Sequence, residues 1–412
     1  MALPDPTARP APRAPHRAML LVLLLASTLT LMAGAVIAPV VGVIRGELGV
    51  SGTGAGLILT AHGLSLALVS PFVGWAIDRF GLRTPLVGGL LLYGVAGGTG
   101  LVTESYTALI ISRFVFGVGA AAVFVGTTVA LLALFQGEQR DRVAGWRSTA
   151  LSLGGIIWPL IGGALGGLSW HAPFAVYLLG IPVGLLTLLV MPALPAEGRA
   201  KGGGVVTLLR RRPGLLVFYA FSFFASFLLY VLAVFLPQRL TEVDVEEPFL
   251  IALITTSTSV GGSLIGLVYA RMKARLGYVN LLRVATVAWA LSFLLIGLNG
   301  QWVFLTLAAF VFGLGSGVVV PALAMMIGES APAAQRGQAM SLSGTANFTG
   351  QFVAPLILGP VIGATSIGTG FLVGSALAAL VLLALLTFPV PSPKPPEATP
   401  DPDKPSPDTA PV

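Results

Sequence analysis

Cysteine is absent from this chain of 412 residues, and charged side chains are scarce. Without cysteine, disulfides, thiolate nucleophiles and Cys-based metal sites are excluded. The three histidines (His16, His62 and His171) are too scattered to form a metal cluster. Charged residues make up 9% of the chain, against roughly 25% in an average soluble domain. A soluble fold of this size would have to bury more apolar surface than its core could hold. We therefore expect a membrane protein without a metal or other cofactor.

Apolar residues and glycine take the place of the missing charges. Hydrophobic residues account for 55% of the chain, and there are 52 glycines, which let transmembrane helices approach closely. The apolar residues form about twelve stretches, each near the ~20 residues that cross ~30 Å of hydrocarbon. The predicted spans are 18–44, 51–77, 85–103, 106–135, 143–168, 172–191, 214–240, 248–270, 279–298, 301–328, 337–362 and 367–389. The sequence therefore predicts an all-α membrane protein with about twelve transmembrane helices.

The predicted spans fall into two groups of six, separated by a basic segment. We expect an N-terminal six-helix half over 18–191, a cytoplasmic linker over 192–213 and a C-terminal six-helix half over 214–389. The two ends of the chain, 1–17 and 390–412, are rich in proline and polar residues and cannot bury a core. They are predicted to be disordered cytoplasmic tails.

Lysine and arginine are distributed unevenly among the loops. With the N-terminus placed inside, all but three of the 23 Lys and Arg residues lie on the cytoplasmic side. Of these three, Arg45 and Arg239 lie outside and Arg113 lies within the membrane. Because short cytoplasmic loops carry an excess of Lys and Arg, this pattern predicts a multi-pass inner-membrane protein with both termini cytoplasmic. The same topology explains the net charge of +7, so no nucleic-acid partner is predicted.

The chain repeats itself at a constant offset of 196 residues (114 to 310). The run Phe114–Gly117 recurs as Phe310–Gly313. Other matches keep glycine, proline and polar residues in register: Arg79 with Arg275, Gly81 with Gly277, Gln139-Arg140 with Gln335-Arg336, Gly154 with Gly350, and Pro159 with Pro355. Compositional bias would produce scattered apolar matches but would not keep these residues in register. Two six-helix units in the same orientation are typical of a parallel-repeat transporter, whose substrate site lies between the halves near the midplane.

One segment carries a specific resemblance to a known family. The run GWAIDRFGLR resembles the loop 2–3 signature of the major facilitator superfamily, and its motif positions are Gly74, Asp78, Arg79, Gly81 and Arg83. The resemblance extends over essentially the whole membrane-embedded length. It implies the fold of that family, two six-helix pseudo-repeats, and a transporter that works by alternating access without oligomerisation.

Two further segments resemble motifs of the same family. Arg113, followed by Gly117 and Gly119, resembles the helix-four signature, an intramembrane Arg before a glycine-rich face. The run GGIIWPLIGG resembles the helix-five motif of the branch that exports drugs and aromatic compounds, and its positions are Gly154, Trp158, Pro159, Gly162 and Gly163. The chain departs from that motif at Trp158, where the family usually has glycine.

The loop 2–3 motif also has a physical interpretation. Gly74 would let helix two pack closely on a neighbour, and Gly81 would permit a tight turn. Arg79 and Arg83 would anchor the loop at the anionic inner leaflet. These four positions are therefore expected to fix the loop and the helix ends beside it.

Asp78 lies in the same motif at the predicted membrane edge. A carboxylate there can cap a helix N-terminus and pair with an Arg. The resemblance implies that its partner is helix eleven and that the contact locks an outward-open state; the alternative is an ordinary interfacial ion pair. The second repeat has Ala274 in place of the acid, so the gate is expected to be asymmetric.

Arg113 and His62 are polar residues expected deep in the membrane. An intramembrane Arg usually marks a substrate or ion pathway, and the alternative is a structural Arg hydrogen-bonded to helix carbonyls. His62 is either a buried hydrogen-bonding group or a proton carrier, since His titrates near neutral pH. The sequence places no carboxylate at that depth. This argues against a strongly cation-selective drug pump and favours neutral or anionic substrates.

Polar and aromatic side chains on apolar helices supply the candidate cavity residues. Asn347 and Gln351 share one face of helix eleven through their i, i+4 spacing, and Tyr230 lies on helix seven. Together with Trp158 they could line a cavity for flat organic molecules, or they could serve as interhelical hydrogen bonds.

The sequence thus predicts a secondary active transporter, with proton-linked export of small amphipathic organic compounds as the favoured activity. The alternative is an importer or exchanger of a small organic anion steered by Arg113. A membrane-embedded enzyme is a remote alternative, because the chain shows no clustered set of acids, histidines or nucleophiles. A nucleotide-driven pump is disfavoured by the lack of a Walker-type loop.

Overall fold

The computed structural model describes residues 17–192, 205–332 and 335–390, which form helices and connecting turns without a strand. The predicted tails, except Arg17 and Val390, lie outside the described residues, as do positions 193–204 of the predicted linker. The remainder of that linker includes a short helix, Val205–Arg211.

The described residues contain thirteen α-helical segments and three short 3-10 helices, which lie before α2, after α4 and before α7. The α-helices are α1 (Arg17–Ala35), α2 (Val41–Glu47), α3 (Gly52–Phe80), α4 (Arg83–Gly98), α5 (Tyr106–Leu134), α6 (Gly137–Gly166), α7 (Gly180–Val190), α8 (Val205–Arg211), α9 (Gly214–Thr241), α10 (Pro248–Leu298), α11 (Trp302–Ser330), α12 (Arg336–Ala364) and α13 (Ile367–Thr387). The 3-10 helix before α7 is Ala172–Leu179. Eleven helical segments among the described residues are long and apolar enough to cross a membrane.

Helix α10 explains why eleven spanning segments correspond to twelve predicted spans. The sequence predicts two spans, 248–270 and 279–298, with a loop between them. In the structure the helical segment Pro248–Leu298 consists of two helices that meet directly at Gly277, where φ is 71° and the backbone is not helical, so the chain turns between the two predicted spans. Its repeat counterpart Gly81 has φ of 76° and ends α3 before α4 begins. A left-handed backbone is accessible to glycine without a Cβ clash, so the repeat preserves the same sharp turn in both halves.

Equivalent helices pack in the same way in the two halves. In the N-terminal half, a Cβ added to Gly117 would lie 2.6 Å from the carbonyl oxygen of His62. In the C-terminal half, a Cβ added to Gly313 would lie 2.0 Å from the carbonyl oxygen of Thr258. Both pairs are related by the offset of 196 residues (117 to 313). Glycine is therefore required where α5 crosses α3 and where α11 crosses α10.

The contacts between the halves obey the same pseudo-symmetry. Gly163 of α6 lies against Phe249 of α10, since an added Cβ would approach the Phe249 Cα to 3.0 Å. In the reciprocal contact, Gly359 of α12 lies against Thr53 of α3, with 2.0 Å between an added Cβ and the threonine hydroxyl. The two six-helix units therefore meet through exchanged copies of one contact.

The halves approach each other at one end of the bundle, which we call the closed end. Arg45 donates to the Gln238 side-chain oxygen at 3.2 Å, and a Cβ on Gly42 would lie 3.3 Å from Thr241. The ring centroids of Phe124 and Phe348 lie 5.4 Å apart, further along α5 and α12. Contacts between the halves thus extend from the closed end to the middle of these helices.

The opposite end, which we call the open end, contains Asp78, Arg140 and Arg336, all of them exposed. Every residue in 144–153 of α6 and in 340–347 of α12 is exposed or half-buried. A helix packed against a partner buries at least one stripe of its surface. The halves are therefore parted along these two segments.

Candidate functional site

A cavity of about 200 Å³ lies between the two halves, next to the closed end. Helices α1, α3, α6, α9 and α10 contribute to its wall. The lining residues are Leu31, Gly34, Ala35, Ala38, Leu59, Gly155, Pro159, Leu229, Tyr230, Leu232, Ala233, Leu236, Thr255, Thr258 and Ser259. None of these lining residues is charged. The wall is alkyl for most of its area, with hydroxyl groups on the α9 and α10 sides, so it suits an apolar body that carries a few hydrogen-bonding groups.

Three predicted residues from three helices meet beside this cavity. The Nε2 atom of His62 lies 3.1 Å from the amide nitrogen of Gln351, and both side chains are buried. The Gln351 side chain also interacts with the Tyr230 hydroxyl. Gly34 lies beside the group, and an added Cβ would be in van der Waals contact with the Tyr230 oxygen at 3.8 Å and the His62 ring at 3.9 Å. We call these three side chains the His–Gln–Tyr cluster.

The His–Gln–Tyr cluster joins the N-terminal half to the C-terminal half. For the amide nitrogen of Gln351 to donate, Nε2 of His62 must be unprotonated, because a protonated nitrogen is itself a donor. The contact is thus compatible with neutral imidazole.

Asn347 lies apart from this cluster. Gln351 is buried whereas Asn347 is exposed, although the two share one helical face. Gln351 lies in the packed middle of the bundle, and Asn347, one turn earlier in α12, lies where the halves part toward the open end. Neither amide lines the cavity: Gln351 is buried beside it against His62, and Asn347 is exposed.

Arg113 lies inside the N-terminal half and is fully buried. Its Nη2 donates to the carbonyl oxygen of Gly97 at 2.8 Å and to that of Ala96 at 3.4 Å. The guanidinium carbon also lies over three aromatic rings, at 4.8 Å from Phe116, 5.2 Å from Phe174 and 5.0 Å from Tyr177. Cation–π contacts of this kind stabilise a desolvated guanidinium.

These contacts match the structural alternative for Arg113. Its partners come from α4, α5 and the 3-10 helix before α7, all in one half, and Arg113 is not among the residues that line the cavity. Gly97 admits the Tyr177 ring, since a Cβ there would lie 2.5 Å from the Tyr177 Cβ. A role in substrate steering stays a prediction that these contacts do not favour.

The loop 2–3 motif divides into residues with and without contacts. Gly81 forms the expected turn. Arg83 donates to the carbonyl oxygen of Leu188 near the end of α7, where a cation complements the helix dipole. Arg79 lies over the rings of Trp75 and Phe80, at 5.9 and 5.8 Å.

Gly74 and Asp78 differ from expectation in this conformation. A Cβ on Gly74 would meet nothing within 4 Å, so Gly74 mediates no close helix packing here. Asp78 is exposed, and no hydrogen bond or ion pair joins it to another described residue. The expected contact between Asp78 and the eleventh predicted span, which is helix α12, is absent among the described residues. The two halves are parted at this end.

The helix-five motif presents two faces of α6. Gly154, Trp158 and Gly162 lie toward α1, and a Cβ on Gly162 would come within 1.9 Å of the Val36 carbonyl oxygen. The Trp158 indole folds over Gly154, where an added Cβ would lie 3.3 Å from the ring. Trp158 therefore packs within its own half and does not line the cavity.

The second face of the motif is turned toward the C-terminal half. Gly155 and Pro159 line the cavity, and Gly163 contacts α10 near Pro248. The i, i+4, i+8 spacing of these three positions places them on one stripe of the helix. The motif thus brings the two halves together and shapes the cavity wall.

Two sets of residues at these sites were not predicted from the sequence. Thr255, Thr258 and Ser259 line the cavity, and their spacing on one face of α10 was the available signal. Arg147 donates to Thr128 at 3.1 Å, and Arg140 lies in the same pocket. In the sequence, Arg147 served only as a marker of topology, and Arg140 as a marker of topology and of the repeat.

Comparison with known proteins agrees with the fold. A family model described as Major Facilitator Superfamily matches residues 23–246 and again 222–410. Multidrug resistance protein 1 of Bacillus subtilis is 27% identical over 339 residues, which cover 79% of this chain and 83% of the relative. Quinolone resistance protein NorA of Staphylococcus aureus is 26% identical, covering 78% of this chain and 84% of the relative.

Solved structures of transporters share the architecture. The D-xylose-proton symporter superimposes with a TM-score of 0.76 at 17% identity, covering 92% of this chain and 98% of the symporter. The nucleoside transporter NupG gives a TM-score of 0.71 at 16% identity, covering 90% of this chain and 100% of that transporter. At these identities the likeness establishes the fold alone, the arrangement of helices in two pseudo-repeats.

Proposed function

Because this chain belongs to the Major Facilitator Superfamily and is a transporter, not an enzyme, we propose that it exports small amphipathic organic compounds in exchange for protons. The cavity between the halves carries this proposal. It is lined by alkyl groups, a phenol and three hydroxyls, without a charged side chain. Such a wall admits molecules of varied shape because apolar contacts are non-directional.

The names of two relatives support the same substrate class. Multidrug resistance protein 1 and quinolone resistance protein NorA are drug-resistance proteins by name. Quinolones are flat amphipathic molecules, a shape that an uncharged cavity with a few hydroxyls accommodates. We therefore propose a quinolone-like compound as the first substrate to test.

We further propose that the open end faces the cytoplasm. The helix ends at that side carry Arg79, Arg140 and Arg336, and the cytoplasmic ends and short loops of membrane proteins are enriched in Lys and Arg. On this assignment both termini are cytoplasmic, the protein lies in an inner membrane, and the structure is an inward-open state. We propose that one copy of the chain suffices for transport, since the cavity is formed by its two halves.

Asp78 is proposed to act as a gate in the opposite state. In the inward-open state its carboxylate is exposed and has no partner among the described residues. When the open end closes, helix α12 approaches α3, and Asp78 then has a partner at the start of α12. An ion pair or helix cap formed there would stabilise the outward-open state.

Transport by proteoliposomes tests the proposal. Liposomes containing the purified protein should accumulate norfloxacin when a pH gradient is imposed, at a rate above that of protein-free liposomes. Gly34→Leu should abolish accumulation by filling the cavity beside Tyr230. Gly46→Leu is the matched control, because an added Cβ at Gly46 meets nothing within 4 Å. Equal rates with and without protein across a panel of amphipathic compounds would reject the proposed export.

A further inference from the structure

A second pocket lies at the open end, between α5 and α6, separate from the central cavity. It has a volume of about 260 Å³ and is lined by Thr128, Leu131, Arg140, Ala144, Arg147, Ser148 and Leu151. We call it the basic pocket. Two of its residues are arginines, and no carboxylate is among its lining residues.

The spacing along α6 explains how this wall forms. Positions 140, 144, 147, 148 and 151 recur at intervals of three and four residues and therefore lie on one helical stripe. Arg140 and Arg147 lie two turns apart on that stripe, with Leu151 one turn further into the membrane. The stripe thus changes from cationic at the helix start to apolar toward the bundle centre.

Arg147 is held in position by the neighbouring helix. Its Nη2 donates to the Thr128 hydroxyl at 3.1 Å. Its Nε is buried and, within the described part of the chain, has no hydrogen-bond partner. An Arg guanidinium has five N–H donors in a planar fork, so this side chain retains donor capacity in a partly desolvated setting. A buried donor without a partner costs stability, and an oxyanion in the pocket would satisfy it.

The repeat shows that the fold does not require the positive charge of Arg147. The counterpart of Arg147 is Ser343, whose hydroxyl lies 3.4 Å from that of Ser222. The counterpart of Thr128 is Ala324. The C-terminal half therefore forms the same fold with neutral groups at these positions.

We propose that the basic pocket binds the carboxylate or phosphate of an anionic amphiphile at the open end, with the apolar part of the ligand against Leu131 and Leu151. The two arginines supply bidentate hydrogen bonds to the oxyanion. The site is distinct from the central cavity and extends the proposed function, on which it rests for its cytoplasmic placement. Its ligand is either the acidic group of a transported compound on entry or a lipid headgroup of the inner leaflet; basic pockets between transmembrane helices bind such headgroups.

Equilibrium binding to the purified full-length protein tests the site. In phosphatidylcholine nanodiscs, 11-(dansylamino)undecanoic acid should bind more tightly than its methyl ester, and inorganic phosphate should compete with the acid. Arg140→Gln and Arg147→Gln should each weaken binding of the acid about tenfold, the loss of one charged hydrogen bond. Binding of the ester should stay unchanged.

Arg142→Gln is the matched control, because Arg142 is exposed on the same helix and does not line the pocket. It removes the same charge and should leave binding of the acid unchanged. Arg147→Lys keeps the charge but loses the fork, so it should bind the acid with intermediate affinity. Equal affinity of the unmodified protein for acid and ester, or equal losses in all three glutamine variants, would reject the site.

Anionic lipid distinguishes the two sources of the ligand. If a headgroup is the natural occupant, phosphatidylglycerol in the nanodisc should weaken binding of the probe, and Arg147→Gln should remove that effect. No effect of phosphatidylglycerol would assign the site to the acidic group of a soluble compound. Acid-selective binding in a protein that fails to export would reject the proposed export while leaving the site in place.

Discussion

The Nε2 atom of His62 lies 3.1 Å from the amide nitrogen of Gln351, although 289 residues separate them in the chain. Like the contact between Arg45 and Gln238, it is a side-chain hydrogen bond that joins the two halves. The contact between His62 and Gln351 is buried beside the cavity, and the contact between Arg45 and Gln238 lies at the closed end. Together they hold the halves against each other on the side opposite the open end.

Gln351→Leu should weaken the contact between the two halves at the closed end. The substitution leaves Nε2 of His62 buried without its partner, which costs about 1–3 kcal/mol. A single cysteine at Thr241, at the closed end, should react faster with a membrane-impermeant maleimide in this variant. Asn347→Leu is the control, because the Asn347 amide is exposed on the same helix. In this variant the labelling rate of the cysteine at position 241 should not change. A rate for Gln351→Leu equal to that of the control would show that the contact does not hold the halves together.

The coupling residue is identified by three substitutions measured in proteoliposomes. If His62 carries the proton, His62→Gln should abolish accumulation driven by a pH gradient and spare exchange of substrate. If Asp78 exchanges the proton at the open end, Asp78→Asn should instead abolish accumulation driven by a pH gradient and spare exchange of substrate. If an anionic substrate pairs with Arg113, only Arg113→Gln should abolish binding. Accumulation by the unmodified protein that ignores an imposed pH gradient would refute proton coupling altogether.

Gly81→Ala and Gly277→Ala should each destabilise the protein. Their φ values of 76° and 71° lie in a region that L side chains rarely adopt, and forcing one there costs on the order of 1–3 kcal/mol. Thermal unfolding in detergent should show a lower midpoint for both variants. Gly74→Ala, in the same motif but with open space around it, should unfold at the temperature of the unmodified protein. An unchanged midpoint in all three variants would mean that the two turns relax without strain.

The topology can be tested by cysteine labelling without background, because the chain has no cysteine of its own. Single cysteines at Thr7, Asp244 and Asp403 sample the two ends of the chain and the loop after α9. In intact cells a membrane-impermeant reagent should reach only position 244. Labelling at 7 or 403 would reverse the proposed orientation and, with it, the assignment of the open end to the cytoplasm.

The sequence by itself determined the spans and the repeat. Length and apolarity suffice for a span, because the hydrocarbon thickness sets the number of residues required. The repeat was readable because close helix crossings tolerate only glycine, as at Gly117 and Gly313. The turn at Gly81 was predicted for a similar reason, since a left-handed backbone position excludes a Cβ.

Only the tertiary structure decided which polar side chains meet. Arg113 is surrounded by Phe116, Phe174 and Tyr177, and His62 contacts Gln351, but nothing in the local sequence distinguishes these partners from other residues. In a soluble helix the apolar stripe marks the buried face. In a membrane the lipid-facing and protein-facing surfaces are both apolar, so the sequence leaves the rotation of each helix about its axis undetermined. That rotation is set by packing against the neighbouring helices, and it decides which side chains reach the cavity.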